Sequence, residues 1–326
     1  MQNSHMQDAN TETIWTAAAK NLFKRLWQYQ YERFPLARHG LLIAIFSSAG
    51  VSLSTILRHS DTAFGLCVYL VAFVSALLFF LELRIIDEFK DFDEDSRYRP
   101  YRPVPRGLVS LGELRDVFFA SCLVQAFLAV MLCPGLIPSL LAVWIFLALL
   151  SKEFFLGPWL RRHPVVYMSS HMAILPVIDY YITACEWLPR RHGPPVGLVW
   201  FLAVSFFNGM VIEIGRKLRA PEEEEMGVDT YSFLWGLPQA TIIWMCMMLV
   251  TAGLAVVTAY QFGLEKLLLA ILCIVLTIAG LRSVHLVRAK NAGTAGKFET
   301  LAGLWTICLY TNLGILPLIF KHWSLS

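Results

Sequence analysis

Long apolar runs alternate with short polar connections along almost the whole chain. Nine runs stand out: Leu41–Leu57, Phe64–Leu83, Val117–Leu132, Ile137–Leu150, Val165–Thr183, Val196–Ile212, Leu237–Ala259, Leu267–Leu281 and Leu301–Phe320. A bilayer core needs roughly 17 to 25 apolar residues per helix, and only a helix satisfies its own backbone groups within one such run. The pattern therefore predicts an all-α, polytopic membrane protein with nine spans. Ahead of the first run, residues 13–38 mix Trp15, Leu22, Phe23, Leu26 and Trp27 with Lys20, Lys24, Arg25 and Arg33. That mixture predicts an amphipathic helix lying in the membrane interface against lipid headgroups. Residues 1–12 are polar and read as a disordered tail. No apolar h-region precedes a small-residue cleavage site, so the start of the chain does not read as a secretory signal.

Composition agrees. Of 326 residues, 57% are hydrophobic and 16% charged, with a mean hydropathy of +0.57. Soluble domains carry about 25% charged residues, so a water-soluble fold is excluded, as are disordered and disulfide-scaffold classes. The seven cysteines include no CxxC pair and sit in or beside apolar runs, where they read as small core residues. The net charge of +3 is small, and no nucleic-acid partner is expected. The distribution of charge says more. Placing the loops alternately on two sides puts 22 of the 27 Lys and Arg on the side of the N-terminus and 5 on the other. By the positive-inside rule the N-terminus is cytoplasmic and the C-terminus outside, as an odd number of spans requires.

Two polar loops are too rich in charge to be simple connectors. After the second run come Asp87, Glu88, Asp91 and Asp95, then Arg97, Arg99, Arg102 and Arg106 among Pro100, Pro103 and Pro105. If the helix continues, Asp87, Asp91 and Asp95 stack one turn above another on a single face, which is unfavourable without a cation. Oxygen-only ligands suit Mg²⁺, which is usually held by one or two carboxylates plus substrate phosphates. The arginines that follow suit a diphosphate. The proline rhythm predicts stiff, extended backbone. A solvated charged loop with internal salt bridges is the alternative.

These residues resemble the first signature of the UbiA-type intramembrane prenyltransferase superfamily, N-D-x-x-D-x-x-x-D followed by R-P-x-x-R-P-x-x-x-G. Asp87 stands at the Asn, Glu88 at the first Asp, and Asp91 and Asp95 match directly. Arg99-Pro100, Arg102-Pro103 and Gly107 fall on the second part. The resemblance implies nine helices around a central cavity, Mg²⁺ as cofactor held by Asp87, Glu88, Asp91 and Asp95, and an isoprenyl diphosphate as substrate. It makes Asp91 and Asp95 catalytic, with Arg99 and Arg102 on the diphosphate. The acidic motifs are expected on the cytoplasmic side.

The second family motif, E-I-x-K-D-x-x-D-x-x-G-D-x-x-x-G, is altered. Glu213, Ile214, Arg216, Gly227 and Gly236 keep its frame, but Lys217 and Arg219 stand where the family has acids. Either Lys217 and Arg219, with Arg216, neutralise diphosphate oxygens directly, or Glu222 and Glu223 rebuild a displaced metal site, or catalysis is lost. On the first reading Lys217 is catalytic; on the second Glu223 is a metal ligand. Arg161 and Arg162 resemble the family's Lys-Arg pair and are further diphosphate candidates. Within the spans, His171, Asp179 and Asn208, together with Glu213, are costly polar residues and candidates for the cavity lining. The resemblance implies prenyl transfer to an unknown hydrophobic or aromatic acceptor within the membrane. A membrane terpene cyclase and a non-catalytic lipid-binding or transport protein on the same scaffold are the competing readings.

Overall fold

A computed structural model describes residues 21–59, 65–225, 230–289 and 294–323. The polar tail, Trp15 and Lys20 of the interfacial segment, and Gly227 and Asp229 of the second motif lie outside the described residues. Among the described residues the regular structure is helical throughout, and nine helices are long and apolar enough to cross a membrane. Helix α1 covers residues 21–33. The spans are α2 (Leu36–Leu57), α3 (Leu66–Lys90), α5 (Leu111–Leu132), and a 3-10 turn running into α6 (Ile137–Ser151). They continue with the pair α8 (Pro164–Met172) and α9 (Ile174–Trp187), then α10 (Leu198–Arg216), α12 (Leu237–Tyr260) and α13 (Glu265–Ala289). The last span is α14 (Thr294–Tyr310), which passes through a π turn at Thr311–Ile315 into α15 (Leu316–Trp323). Short helices α4 (Phe92–Tyr98), α7 (Gly157–Arg161) and α11 (Tyr231–Trp235) lie in the connections. Several helices run past the apolar runs that predict them. Backbone hydrogen bonding does not stop where apolar side chains do, and α3 continues from Leu83 to Lys90, carrying Asp87 and Glu88.

Among the described residues the chain forms two compact units, residues up to 41 with 80–121, and residues 42–79 with those from 122 on. The core of the first unit is Tyr29, Ile85, Val104, Val109 and Leu114, with Leu26, Leu81 and Phe92 packed against it. Helix α1 is thus apolar on two sides. Leu26 and Tyr29 face this cluster, while Phe23, Trp27 and Tyr31, spaced by one turn, are 66%, 57% and 73% exposed. Ion pairs fix α1 at both ends: Arg25 donates to Glu113 at 2.6 and 3.2 Å, and Glu32 accepts from Arg106 at 2.7 and 2.9 Å. Ser110 and Glu113 cap α5 reciprocally, Glu113 N donating to Ser110 Oγ at 3.1 Å and Ser110 N to Glu113 Oε2 at 2.8 Å.

The proline stretch departs from the extended backbone that its rhythm predicts. Arg102 N donates to Arg99 O, Arg106 N to Arg102 O, Gly107 N to Val104 O and Leu108 N to Pro103 O, all at 2.9–3.0 Å, so residues 99–108 form consecutive turns. The φ that proline fixes serves a turn as well as an extended strand, and Gly107 supplies the positive φ that closes the stretch.

In the second unit α10 packs against α9, α12 and α14. Two glycines allow helices to approach. A Cβ on Gly314 would lie 2.4 Å from the Ala49 carbonyl, and one on Gly215 would lie 2.9 Å from Ala302 Cβ. Buried polar groups tie the spans together. Gln125 accepts from Trp144 Nε1 at 2.9 Å and donates to Ser75 O at 3.2 Å, and Ser75 Oγ lies 3.3 Å from Tyr181 Oη. Fully buried Glu186 accepts from Ser54 Oγ at 2.6 Å and from Arg58 Nε at 2.9 Å. The connection before α7 contains three successive left-handed residues, Glu153, Phe154 and Phe155, each an unfavourable conformation for a residue with a Cβ. This turn precedes Arg161 and Arg162.

Candidate functional site

The first unit carries the first motif at the end of α3 and along α4. Between these helices Asp91 takes φ −93° and ψ 3°, so the helix is interrupted there. The four-residue hydrogen-bond ladder nevertheless persists: Asp91 N donates to Asp87 O at 2.9 Å, Asp95 N to Asp91 O at 2.7 Å, and Arg99 N to Asp95 O at 2.8 Å. The break therefore bends the backbone without losing the register that stacks Asp87, Asp91 and Asp95.

Arginines hydrogen-bond to two of the four acids. Glu88 accepts from Arg33 Nε at 2.6 Å and from Arg84 at 3.1 Å. Asp95, almost fully buried, accepts from Arg102 Nη1 at 2.5 Å and lies 3.1 Å from Arg99 Nε. Arg33 Nη2 is also 4.0 Å from Asp95, so one guanidinium from α1 reaches both acids. Asp87 is more open, with Arg84 at 3.9 Å. Asp91 is surrounded by like charge. Burial first, and then the carboxylates of Asp87 and Asp95, push its carboxyl up to about 6. Tyr29, buried beside Glu88, is pushed above the ordinary phenol range by burial and by that carboxylate. Arg99 also reaches Glu94, at 3.1 Å.

An all-carboxylate donor set is that of a hard divalent cation, and a buried carboxylate whose neighbours are carboxylates is one that a cation relieves. Glu88 and Asp95 are turned toward arginines. Among the described residues no three carboxylate, His or Cys side chains converge as a finished metal cage. For Mg²⁺ a finished cage is not required, since it takes one or two carboxylates together with substrate phosphates. The residues present therefore fit Mg²⁺ arriving with a diphosphate.

The second motif, in the second unit, is organised differently. Glu213, near the end of α10, accepts from Arg216 Nε at 2.6 Å and lies 3.0 Å from Lys217 Nζ. Lys217 also sits 5.5 Å from the Tyr231 ring centroid, a cation–π distance. Tyr231 is raised by burial and then by Glu213. Beyond α10 three of the four glutamates have a local task. Glu223 Oε2 accepts from Ala220 N at 3.0 Å and caps the short 3-10 turn Pro221–Glu223. Glu224 accepts from Thr230 at 2.7 Å, and Glu225 from Arg219 at 3.3 Å. Arg219 N donates to Ser232 Oγ at 2.8 Å, which pins this loop to α11. Arg161 is exposed, with Glu153 at 3.4 Å, and Arg162 is exposed on the same turn.

The other candidates are dispersed along the spans. His171 stacks on Tyr167 with ring centroids 4.1 Å apart and meets Phe154 edge-on. Asn208 Nδ2 donates to Thr306 Oγ1 at 3.2 Å. Asp179 is fully buried inside its span. Arg33, Arg84 and Tyr29 are site residues that sequence reasoning missed. Arg84 carried a signal, since it stands one turn before Glu88. Arg33, 55 residues from Glu88, carried none.

A model of the UbiA prenyltransferase family matches residues 43–307. No curated protein matches the chain. Among solved structures, an apo UbiA homologue from Aeropyrum pernix K1 aligns with a TM-score of 0.62 at 15% identity, covering 83% of this chain and 95% of its own. A digeranylgeranylglyceryl phosphate synthase gives 0.56 at 14%, covering 89% and 98%. A UbiA homologue from Archaeoglobus fulgidus bound to DMAPP and Mg²⁺ gives 0.53 at 12%, covering 87% and 98%. At these identities the likeness is one of fold.

Proposed function

The chain belongs to the UbiA prenyltransferase family, and from that premise we propose that it transfers a prenyl group from an isoprenyl diphosphate to a hydrophobic or aromatic acceptor within the membrane, with Mg²⁺ as cofactor. The observation that carries the proposal is the register of Asp87, Asp91 and Asp95, kept across the break at Asp91, with Arg84, Arg99 and Arg102 beside them. A homologue of the same fold bound to DMAPP and Mg²⁺ supports it.

Asp87, Glu88, Asp91 and Asp95 would hold the metal. Bound there, Mg²⁺ would offset charge on the leaving diphosphate. Arg99 and Arg102 would exchange Asp95 for diphosphate oxygens, a swap of one charge-assisted hydrogen bond for another. In the second motif we assign Lys217, Arg216 and Arg219 to the diphosphate, with Arg161 and Arg162 as further cationic contacts. Glu223 is proposed as a metal ligand only in the alternative in which that loop rearranges, since its carboxylate now caps a turn. His171 and Glu213 are assigned to the lining of the substrate cavity, and the apolar spans would keep water from the ionised allylic group. The excess of Lys and Arg on one side supports a cytoplasmic N-terminus with both motifs on that side. Helix α1 lies in the interface through Phe23, Trp27 and Tyr31.

The test is diphosphate release by the purified protein from allylic diphosphates of increasing length, with and without Mg²⁺ and with and without a membrane extract as acceptor source. Mg²⁺-dependent release that requires the extract is the expected result. Acceptor-free release with a cyclised hydrocarbon product would instead establish a terpene cyclase. Silence in every arm would leave the non-catalytic scaffold.

A further inference from the structure

Asp179 lies within the α8–α9 span, fully buried, and among the described residues neither of its carboxylate oxygens has a hydrogen-bond partner. Two other buried acids of the second unit are compensated: Glu186 by Arg58 and Ser54, Glu213 by Arg216 and Lys217. Around Asp179 the spans contribute uncharged oxygen-bearing groups. Gly50 brings the α2 backbone against it: a Cβ there would lie 3.7 Å from Asp179 Oδ1 and 2.8 Å from Ile182 Cγ2. From α10 comes Ser205, fully buried, whose hydroxyl also has no hydrogen-bond partner among the described residues. Ser205 lies beside Asp179. From α14 comes Tyr310, which lies near Asp179, Ser205 and Asn208. Asn208 is joined to Thr306 at 3.2 Å. Directly after Tyr310 the helix opens into the π turn Thr311–Ile315, a local widening often found at functional sites. Of these neighbours only Tyr310 is titratable, and none carries positive charge.

A carboxylate stripped of water and of counter-charge inside a bilayer costs several kcal/mol, whereas leucine at that position of a span would cost nothing. The group is stable once a single positive charge occupies it. A divalent ion would leave one charge uncompensated against one carboxylate, which restricts the occupant to a monovalent one. We propose that Asp179, with Ser205, Asn208, Thr306 and Tyr310, forms a site for one small monovalent cation, a proton or Na⁺, in the interior of the second unit. Carboxylate, hydroxyl and amide oxygens are the hard donors that either occupant takes. The site uses no aspartate of the first motif and no cation of the second, and its existence does not depend on prenyl transfer.

The test uses the full chain in lipid nanodiscs, in buffer with choline as the only other cation, with and without NaCl. An infrared difference spectrum, wild type minus Asp179→Asn, reads the occupant. A carbonyl stretch of a protonated carboxylic acid that disappears in the variant identifies the proton. Carboxylate bands alone, together with a Na⁺-dependent rise in Tm that the variant loses, identify Na⁺. Carboxylate bands with a Tm indifferent to Na⁺ would overturn the proposal. If Asp179→Asn does not fold, Ser205→Ala takes its place. It should shift the carbonyl frequency, or weaken the Na⁺ response about tenfold for one lost oxygen ligand. A Ser205→Ala protein identical to wild type in both readouts would refute the assigned ligand set.

Discussion

The two charged loops use similar residues to opposite ends. In the first, the acids keep a helical register and their partners are both near and far: Arg84 and Arg99 from one turn away, Arg102 from the turn region and Arg33 from α1 meet Glu88 and Asp95, and Asp91 is left among carboxylates. In the second, most of the acids are paired within a few residues of their own position, Glu213 by Arg216 and Lys217, Glu223 by a turn, Glu224 by Thr230 and Glu225 by Arg219. One loop keeps a buried carboxylate among other carboxylates, whereas the other pairs most of its acids locally and carries its basic groups beside them.

The difference can be broken most severely at Asp91. Asp91→Ala and Asp95→Ala should each lower diphosphate release by at least about 100-fold, because the charge that a metal would stabilise on the leaving group goes unopposed. Initial-rate measurements at saturating Mg²⁺ check this, and full turnover in Asp91→Ala would remove the metal assignment. Neutralising the second loop should act on affinity instead. Glu225→Gln, which frees only Arg219, should leave turnover close to wild type.

Stability separates the loops next. Arg33→Met leaves a buried Glu88 with Arg84 alone, and breaking a buried pair from one side costs about 3 kcal/mol. A fall in Tm of several degrees is expected, with partial recovery in Arg33→Met/Glu88→Gln. Arg219→Ala, which removes a half-exposed pair with Glu225, should move Tm far less. Equal losses in the two variants would contradict the contrast drawn between the loops.

The architecture was legible because a bilayer imposes a length on every apolar run. All nine spans follow from that one constraint, and the i, i+4 spacing of the first motif survives because its backbone ladder does. The pairing was not legible. Arg33 reaches Glu88 across 55 residues, a contact that no local period encodes. Proline misled for a related reason, since its fixed φ fits turns and extended chain alike, and the hydrogen bonds of residues 99–108 decide between them. In the second motif the charge reversal at Lys217 was visible, but not that Glu213 and the Tyr231 ring would receive that lysine.

Affinity gives the third test. Lys217→Ala should weaken diphosphate binding about tenfold, the worth of one charge-assisted contact, while Lys217→Asp should weaken it further and raise the Mg²⁺ requirement. Calorimetric titration with inorganic diphosphate reads both. Unchanged affinity in the two variants would make the loop a surface connector, its lysine serving Glu213 alone.

The smallest effect lies at the edge of the first unit, where Glu32 and Asp91 shift in opposite directions. Arg106 holds Glu32 below the ordinary carboxylate range, chiefly through its hydrogen bonds. A lowered folded value means that the pair contributes stability above the unfolded carboxylate value of about 4.5 and loses it as pH falls through the lower folded one. The pair is partly exposed and screened by salt, so its contribution is modest. At pH 7 and low ionic strength Glu32→Gln should lower Tm by no more than about 2 °C, and the gap from wild type should close as pH falls through that lowered value and Glu32 itself becomes neutral. A gap that persisted in acid would mean that Glu32 holds α1 by shape and hydrogen bonding. The clasp between α1 and the arginine-rich turns would then be independent of the charges that organise the rest of the motif.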